Sequence, residues 1–267
     1  MNILEMSKHP HLSASSIREY LDCGLYYKFS RIDKLEKTFI SDNLLFGSTI
    51  HRVLAEYNQE KVVGSKMNLQ EMHKLFEKYW KETAEHTDQI KYSPKNSFES
   101  LLDQGKQMLR TYVSKVPENE YEVIAVEEPF EFKIEGLNIP MTGIMDLVEQ
   151  DENETVFISD YKTMSSSTTI NEIDQNFQLT LYYMAARRNG YANKEIVLKL
   201  DCLLKTKQPQ FIQVYTFRNE VHEKRAVKKI KEVYNAIQKE IFIPNAEGTW
   251  KCNSCEYKPY CDEWFLS

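Results

Sequence analysis

Three ionisable side chains lie close together near the middle of the chain: Asp146, Asp160 and Lys162. They belong to two alternating runs of apolar and polar residues separated by a polar turn at 150–154, and such runs predict β-strands. Successive strand side chains point to opposite faces, so Asp160 and Lys162 should face the same spot. If the strands pair as a hairpin, Asp146 reaches that spot too. Two carboxylates so close repel each other without a cation, so the pattern indicates a divalent metal site.

A second group of polar residues lies on predicted helices and a strand. Gln178 and Tyr182 are four residues apart in one predicted helix, which places them on the same face. His51 borders the apolar stripe of an earlier predicted helix. Taken singly, a helical Gln and Tyr usually pack or cap, and a His beside an apolar stripe is usually a boundary residue. Glu127 sits within a predicted strand, where a solvent-facing carboxylate is the ordinary interpretation.

Four of the five cysteines lie near the two ends of the chain: Cys23, Cys252, Cys255 and Cys261. The fifth, Cys202, has apolar neighbours in a predicted strand and is expected to be buried. An odd number of cysteines in a reducing compartment favours metal or cluster binding over disulfides. The three C-terminal thiols lack one ligand for a tetrahedral site, and Cys23 can supply it. A zinc ion and an iron–sulfur cluster both satisfy this spacing.

In this order along the chain, the motifs resemble those of the RecB-like branch of the PD-(D/E)XK nuclease superfamily. The resemblance implies that one or two Mg²⁺ or Mn²⁺ ions are held by His51, Asp146, Asp160 and the backbone carbonyl of Tyr161. It implies catalytic roles for Asp146, Asp160, Lys162, Gln178 and Tyr182. Lys162 would orient or deprotonate the attacking water, and Gln178 and Tyr182 would position Lys162 or the substrate strand. Glu127 stands where family members often carry a supporting acidic residue.

The cysteines resemble the iron–sulfur staple of AddB-type and CRISPR-associated RecB-like nucleases. That resemblance implies a [4Fe-4S] cluster on Cys23, Cys252, Cys255 and Cys261, with Zn²⁺ at the same four thiols as the alternative. The chain departs from the pattern at Gly24, where those proteins commonly have Pro. Either residue ends a helix, so the departure is compatible with the same arrangement.

The resemblance implies a metal-dependent deoxyribonuclease, with exonuclease action on linear or single-stranded DNA ends in repair, recombination or defence. The alternative is a catalytically weak DNA-binding or structural subunit of a repair or recombination complex. The sequence has no Gly-x-x-x-x-Gly-Lys-Ser/Thr motif for nucleotide binding. A helicase, or a recombination or adaptation protein, would therefore be supplied in trans.

The elements that must position these residues predict an α/β fold. A restriction-endonuclease-like central mixed β-sheet flanked by helices is expected over about 121–218, after a helical region over about 13–115 and before a C-terminal helix and cysteine tail over 220–267. These parts form one predicted domain. Helices are predicted at 46–60, 68–85, 97–115, 173–188 and 221–242. The net charge of −6 disfavours a chain that is basic all over. No apolar run approaches the length of a membrane span, so a cytoplasmic protein is expected.

Overall fold

The computed structural model of the protein describes residues 9–85, 87, 89–116, 121–165, 170–245 and 250–267. The polar composition of residues 165–169 predicts a loop, and this segment lies, except for residue 165, outside the described residues. The strands are β1 Ile40–Ser41, β2 Ile90–Lys91, β3 Glu122–Phe132, β4 Met141–Gln150, β5 Val156–Met164, β6 Ile196–Leu204 and β7 Gln210–Thr216. The helices are α1 Ala14–Asp22, α2 Gly24–Tyr27, α3 Asp42–Val62, α4 Leu69–Glu85, α5 Phe98–Lys115, α6 Ile170–Asp174, α7 Phe177–Arg188, α8 Glu220–Gln238, α9 Trp250–Asn253 and α10 Lys258–Leu266.

Five strands form the central sheet in the order β3-β4-β5-β6-β7. The pairs β3/β4, β4/β5 and β6/β7 are antiparallel, whereas β5 and β6 run parallel. A parallel pair needs a long crossover, and the segment containing α6 and α7 provides it. All residues of β6 are buried because helices cover both faces of the sheet at that strand. The predicted mixed sheet flanked by helices is confirmed.

The two faces of the sheet belong to different apolar clusters. On one face, Ile158 of β5 and Leu200 of β6 pack in a cluster with residues of α7 and α8. On the other face, Tyr161 of β5 and Leu203 of β6 join residues of α3, α4 and α5. Asp160 and Lys162 share a face with Ile158, because strand side chains alternate with a period of two. Helix α3 with His51 therefore approaches the strand from the opposite side to α7 with Gln178.

Local signals explain where several helices begin. Ser13 and Ser97 form capping boxes at the starts of α1 and α5. The helix predicted over 173–188 is wrong in one respect, because the side chain of Asn176 accepts a hydrogen bond from Leu179 N–H and starts a new helix there. Gln178 consequently lies in the first turn of α7 and not within a continuous helix. The helix predicted over 221–242 ends earlier, at Gln238.

None of the helices in the described part of the chain is both long and apolar enough to cross a bilayer. The long helices each have a polar face. Helix α4, for example, buries Met72, Phe76 and Trp80 and leaves its charged residues at the surface.

Candidate active site

Asp146 and Asp160 are neighbours at the point where two central strands stop pairing. The last pair of the β4/β5 ladder joins Leu147 to Ser159, and the two aspartates are the next residues on their strands. The Tyr161 backbone N–H donates a 2.8 Å hydrogen bond to Asp146 Oδ2. Asp160 is completely buried, and the Asp146 side chain is 19% exposed. The hairpin therefore brings the two carboxylates to one place, as its pattern predicts.

Lys162, Gln178 and Tyr182 complete a closed set of polar contacts around Asp160. The Lys162 ammonium donates to Asp160 Oδ1 at 2.9 Å and to Gln178 Oε1 at 3.2 Å. Gln178 Nε2 donates to the Tyr182 hydroxyl at 2.9 Å, and that hydroxyl in turn donates to Asp160 Oδ1 at 3.4 Å. Burial raises the pKa of Tyr182 well above its ordinary value, so its hydroxyl stays a donor. Each of the four side chains thus limits the orientation of its neighbours.

His51 reaches the carboxylates from helix α3. Its Nδ1 lies 3.4 Å from Asp146 Oδ2, and its ring meets the Tyr161 ring edge-on, with centroids 6.0 Å apart. Burial lowers the pKa of His51, although the charge of Asp160 acts in the opposite direction. The neutral imidazole is therefore the favoured form near pH 7, and a neutral imidazole is the form that binds metals.

The electrostatics of the carboxylates fit a divalent cation. Burial, followed by the charge of Asp160, raises the pKa of Asp146 from 3.8 to about 7. Asp160 Oδ2 is buried and accepts no well-aligned hydrogen bond from a described residue, although Lys162 Nζ lies 2.7 Å away. Carboxylate and carbonyl oxygens with one imidazole form a donor set that suits Mg²⁺ or Mn²⁺. Within the described ranges, however, no three His, Cys, Asp or Glu side chains are already arranged as a metal site.

Glu127 lies on β3 beside Asp146. It falls between the ladder pairs Val126–Leu147 and Glu128–Met145, opposite Asp146, with a positive φ of 47°. Its charge contributes to the raised pKa of Asp146. The supporting role predicted for Glu127 stays a prediction, but the structure places the residue where such a role is possible.

The four terminal cysteines approach one another where α2 meets the C-terminal tail. Cys23 accepts hydrogen bonds at Sγ from the N–H groups of Tyr26 and Asn245. Burial is the largest cause that raises the pKa of the Cys255 and Cys261 thiols, and the nearby Cys23 thiol raises both pKa values further. Bringing these thiolates together is therefore unfavourable without a positive centre. Because the four sulfurs are not arranged as a metal site, cluster or zinc binding stays a prediction.

The departure at Gly24 has a structural reason. The Gly24 N–H donates a 2.9 Å hydrogen bond to the Ile243 carbonyl, which a proline could not do. A Cβ atom added to Gly24 would lie 2.7 Å from the Ile243 nitrogen. Glycine is therefore required here because the C-terminal segment packs directly against the backbone.

A groove of about 1260 Å³ runs alongside the catalytic candidates. It is lined by Lys162 and Gln178, by Arg18 of α1, and by Phe177 and Lys229, whose ammonium lies 5.2 Å from the Phe177 ring centroid. Phe177 was not among the residues predicted from the sequence. Its position directly before Gln178 was the available signal, because α7 presents both residues to the groove.

Comparisons with known proteins identify the superfamily and the fold. The family model described as the PD-(D/E)XK nuclease superfamily matches residues 11–262. The chain belongs to this superfamily. The fold resembles that of a candidate exonuclease from Eubacterium rectale, with a TM-score of 0.61 at 13% identity over 92% of this chain and 88% of that one. A second structure, SSO0001, is also 13% identical over 93% and 95% of the chains, but its TM-score of 0.36 carries no weight.

No curated protein matches the sequence. The family-model match establishes the superfamily and with it the fold. The RecB-like branch and the roles of individual residues stay predictions.

Proposed function

We propose that this nuclease is a Mg²⁺- or Mn²⁺-dependent deoxyribonuclease that acts as an exonuclease on linear or single-stranded DNA ends. The observation that carries the proposal is the convergence of Asp146, Asp160 and Lys162, with Gln178 and Tyr182 holding the last two in place. These residues come from two strands and one helix, and a purely structural role for so many polar groups at one buried point is costly.

His51, Asp146, Asp160 and the Tyr161 backbone carbonyl would hold the divalent cation. When bound, the cation supplies Lewis acidity toward the scissile phosphate. The carboxylates contribute the negative charge that attracts it. The hydrogen bond that Asp146 Oδ2 accepts from the Tyr161 N–H fixes the orientation of that carboxylate. The imidazole of His51 is suited to this role because burial favours its neutral form.

The Lys162 ammonium is the group that would meet the phosphate. It is 30% exposed and faces the groove, so it can leave Asp160 for an incoming anion without crossing the core. In that position it orients the attacking water and offsets charge that develops on the phosphate oxygens. Gln178 keeps the ammonium at the site through its Oε1 contact, while Tyr182 orients Gln178.

The groove supports a nucleic-acid strand as substrate. Arg18 and Lys229 line it, and neither forms an ion pair with a residue in the described ranges. Cations that line the same groove as Lys162 suit the phosphates of a bound strand, although acidic side chains of α1 and of the C-terminal tail line it too. The half-buried Phe177 ring offers a surface for a base. Cations in the groove are compatible with the negative net charge of the chain, because the binding of a strand depends on the charges in the groove and not on the net charge of the whole protein.

The cysteine cluster and the biological role complete the proposal. Cys23, Cys252, Cys255 and Cys261 would bind a [4Fe-4S] cluster, or Zn²⁺ in the alternative, and so tie α2 to the C-terminal tail. Repair, recombination or defence is the proposed setting, with a helicase or a recombination or adaptation protein acting in trans.

Labelled linear and circular DNA, each single- and double-stranded, tests this proposal with and without Mn²⁺. We expect cleavage that requires Mn²⁺, proceeds from ends and spares circles, and that Asp160→Ala abolishes. Cleavage of circles would replace the exonuclease assignment by an endonuclease one. DNA binding without cleavage in the presence of Mn²⁺ would favour the alternative, a catalytically weak subunit.

A further inference from the structure

Asn58 lies two helical turns after His51 on α3, so the two side chains share one face of the helix. Asn58 is completely buried. Its Nδ2 donates to the Leu54 carbonyl at 2.9 Å and to the Tyr161 hydroxyl at 3.0 Å. Because the Leu54 carbonyl can only accept, it fixes the orientation of the amide. The Asn58 nitrogen must therefore face Tyr161.

The other half of this amide has no partner. Asn58 Oδ1 is buried and accepts no hydrogen bond from a described residue. A buried, unpaired amide oxygen is unfavourable, and its neighbours on this stripe, Ile50, Val53 and Leu54, are apolar and fully buried. A leucine of similar size would bury no unpaired oxygen. The benefit of Asn58 must therefore lie in what its directional hydrogen bond holds in place.

Tyr161 is the residue that this hydrogen bond holds. Its backbone N–H fixes Asp146, its ring contacts His51, and its hydroxyl meets Asn58. Asp42 and Glu56 of α3 also accept hydrogen bonds, from Ser93 and Tyr79, but these partners lie outside the central sheet. The other members that α3 contributes to the cluster against the sheet are apolar, and apolar contacts do not by themselves fix the position of a helix along its axis. The hydrogen bond does, because it fails when the helix shifts by a fraction of a turn.

We infer that Asn58 is a positioning residue, which holds α3 in register against β5 so that the His51 imidazole stays beside Asp146. The inference rests on the proposed function in one respect, namely that His51 helps to hold a divalent cation. Asn58 itself touches neither the cation nor the substrate. Partners that orient a metal ligand commonly change metal affinity by about 10- to 100-fold when they are removed.

A second hydrogen bond to the Tyr161 hydroxyl provides a matched control. The Tyr112 hydroxyl is 3.0 Å from the Tyr161 hydroxyl, and Tyr112 belongs to α5, which carries none of the candidate site residues. Tyr112→Phe therefore removes a hydrogen bond from the same buried oxygen and keeps the one between Asn58 and Tyr161. The Tyr112 side chain also contacts Asn58 and the Tyr57 ring, but the substitution changes no residue of α3. General loosening of the core would affect both variants, whereas loss of helix register would affect only Asn58→Leu.

Mn²⁺ affinity of the full chain, measured from the electron paramagnetic resonance signal of free Mn²⁺, tests the inference. We expect Asn58→Leu to weaken Mn²⁺ binding about 10-fold or more and Tyr112→Phe to leave it within about twofold. Thermal melts check that both variants fold. Combined with His51→Ala, Asn58→Leu should cause no further loss, because it acts through that imidazole. Should Asn58→Leu fail to fold, Tyr161→Phe removes the acceptor instead and should weaken Mn²⁺ binding to a similar degree.

A second readout needs no metal. The imidazole nuclear magnetic resonance signals of His51 in the metal-free protein should move in Asn58→Leu and stay in place in Tyr112→Phe. Unchanged signals and unchanged Mn²⁺ affinity in Asn58→Leu would overturn the inference, as would equal losses of affinity in the two variants. If the wild-type chain binds no Mn²⁺ but the His51 signals move as expected, the proposed function fails while the positioning role of Asn58 stands.

Discussion

Asp146→Asn should stabilise the metal-free protein above pH 7 while it removes a proposed metal ligand. Burial and then the charge of Asp160 raise the pKa of Asp146 from 3.8 to about 7. At about 1.4 kcal/mol per pKa unit, that interval corresponds to about 4 kcal/mol of stability that the ionised form lacks. Asparagine keeps an oxygen for the Tyr161 N–H but still buries an amide. We therefore expect Asp146→Asn to raise the free energy of unfolding by ~2 kcal/mol, half of that value.

The sign of the pH dependence follows from the raised pKa of Asp146 in the folded state. The protonated carboxyl contributes its full stability below pH 3.8, where the unfolded chain is protonated too. That contribution falls as the pH rises and is lost once the pH has passed about 7. The advantage of Asp146→Asn over the wild type should therefore be larger at pH 8 than at pH 5, by about 1 kcal/mol or more.

Urea unfolding in EDTA at pH 5 and pH 8 measures this difference. Asp103→Asn makes the same chemical change at an exposed position on α5 and should leave the free energy of unfolding unchanged at both pH values. Mn²⁺ at about 100 times its Kd should raise the free energy of unfolding of the wild type by about 2.7 kcal/mol and that of Asp146→Asn by much less. A variant that is less stable than the wild type at pH 8, or equally favoured at both pH values, would refute the electrostatic account of this site.

The remaining predictions concern catalysis and the cysteines. Asp160→Ala and Lys162→Ala should each lower the Mn²⁺-dependent cleavage rate at least ~100-fold, about 3 kcal/mol in the barrier, with unchanged circular dichroism; wild-type rates in either would exclude the assigned roles. Gln178→Ala should lose less activity than Asp160→Ala, because its amide positions Lys162 and binds no metal, and an equal loss would contradict that role. Protein purified without oxygen should be brown and contain iron and sulfide in near-equal amounts. Cys23→Ser should remove the colour and lower the melting temperature, because the loop that the cluster closes stabilises the fold by about 4 kcal/mol. Cys202→Ala should leave the colour unchanged. Colourless wild-type protein with one bound zinc would favour the zinc alternative.

Much of the candidate site is local in sequence, and for that reason it could be predicted. The period of two in β5 places Asp160 and Lys162 on one face of that strand. Helical periodicity places Gln178 and Tyr182 on one face of α7. The hairpin between β4 and β5 is also local, so its pairing could be expected from the turn between them. The break before α7 was missed, because the capping by Asn176 competes with the continuous apolar pattern around it.

Contacts between distant segments were decided by packing. The approach of His51 to Asp146 depends on how α3 lies across the sheet, and apolar periodicity shows which face is buried but not what covers it. The hydrogen bond from Asn58 to Tyr161 has the same origin, since a polar residue in an apolar stripe reveals its partner only after the helix has docked.

The sequence by itself determined the strands of the central sheet, most of the helices and the faces on which the ionisable residues lie, because these follow from backbone periodicity over a few residues. Only the tertiary structure decided that Gly24 meets the backbone of Ile243. The approach of Cys23 to Cys255 and Cys261 was expected from the family resemblance and not from any local pattern. Such contacts join segments far apart in the chain. Their geometry depends on the shape of the whole packed core, which no local pattern encodes.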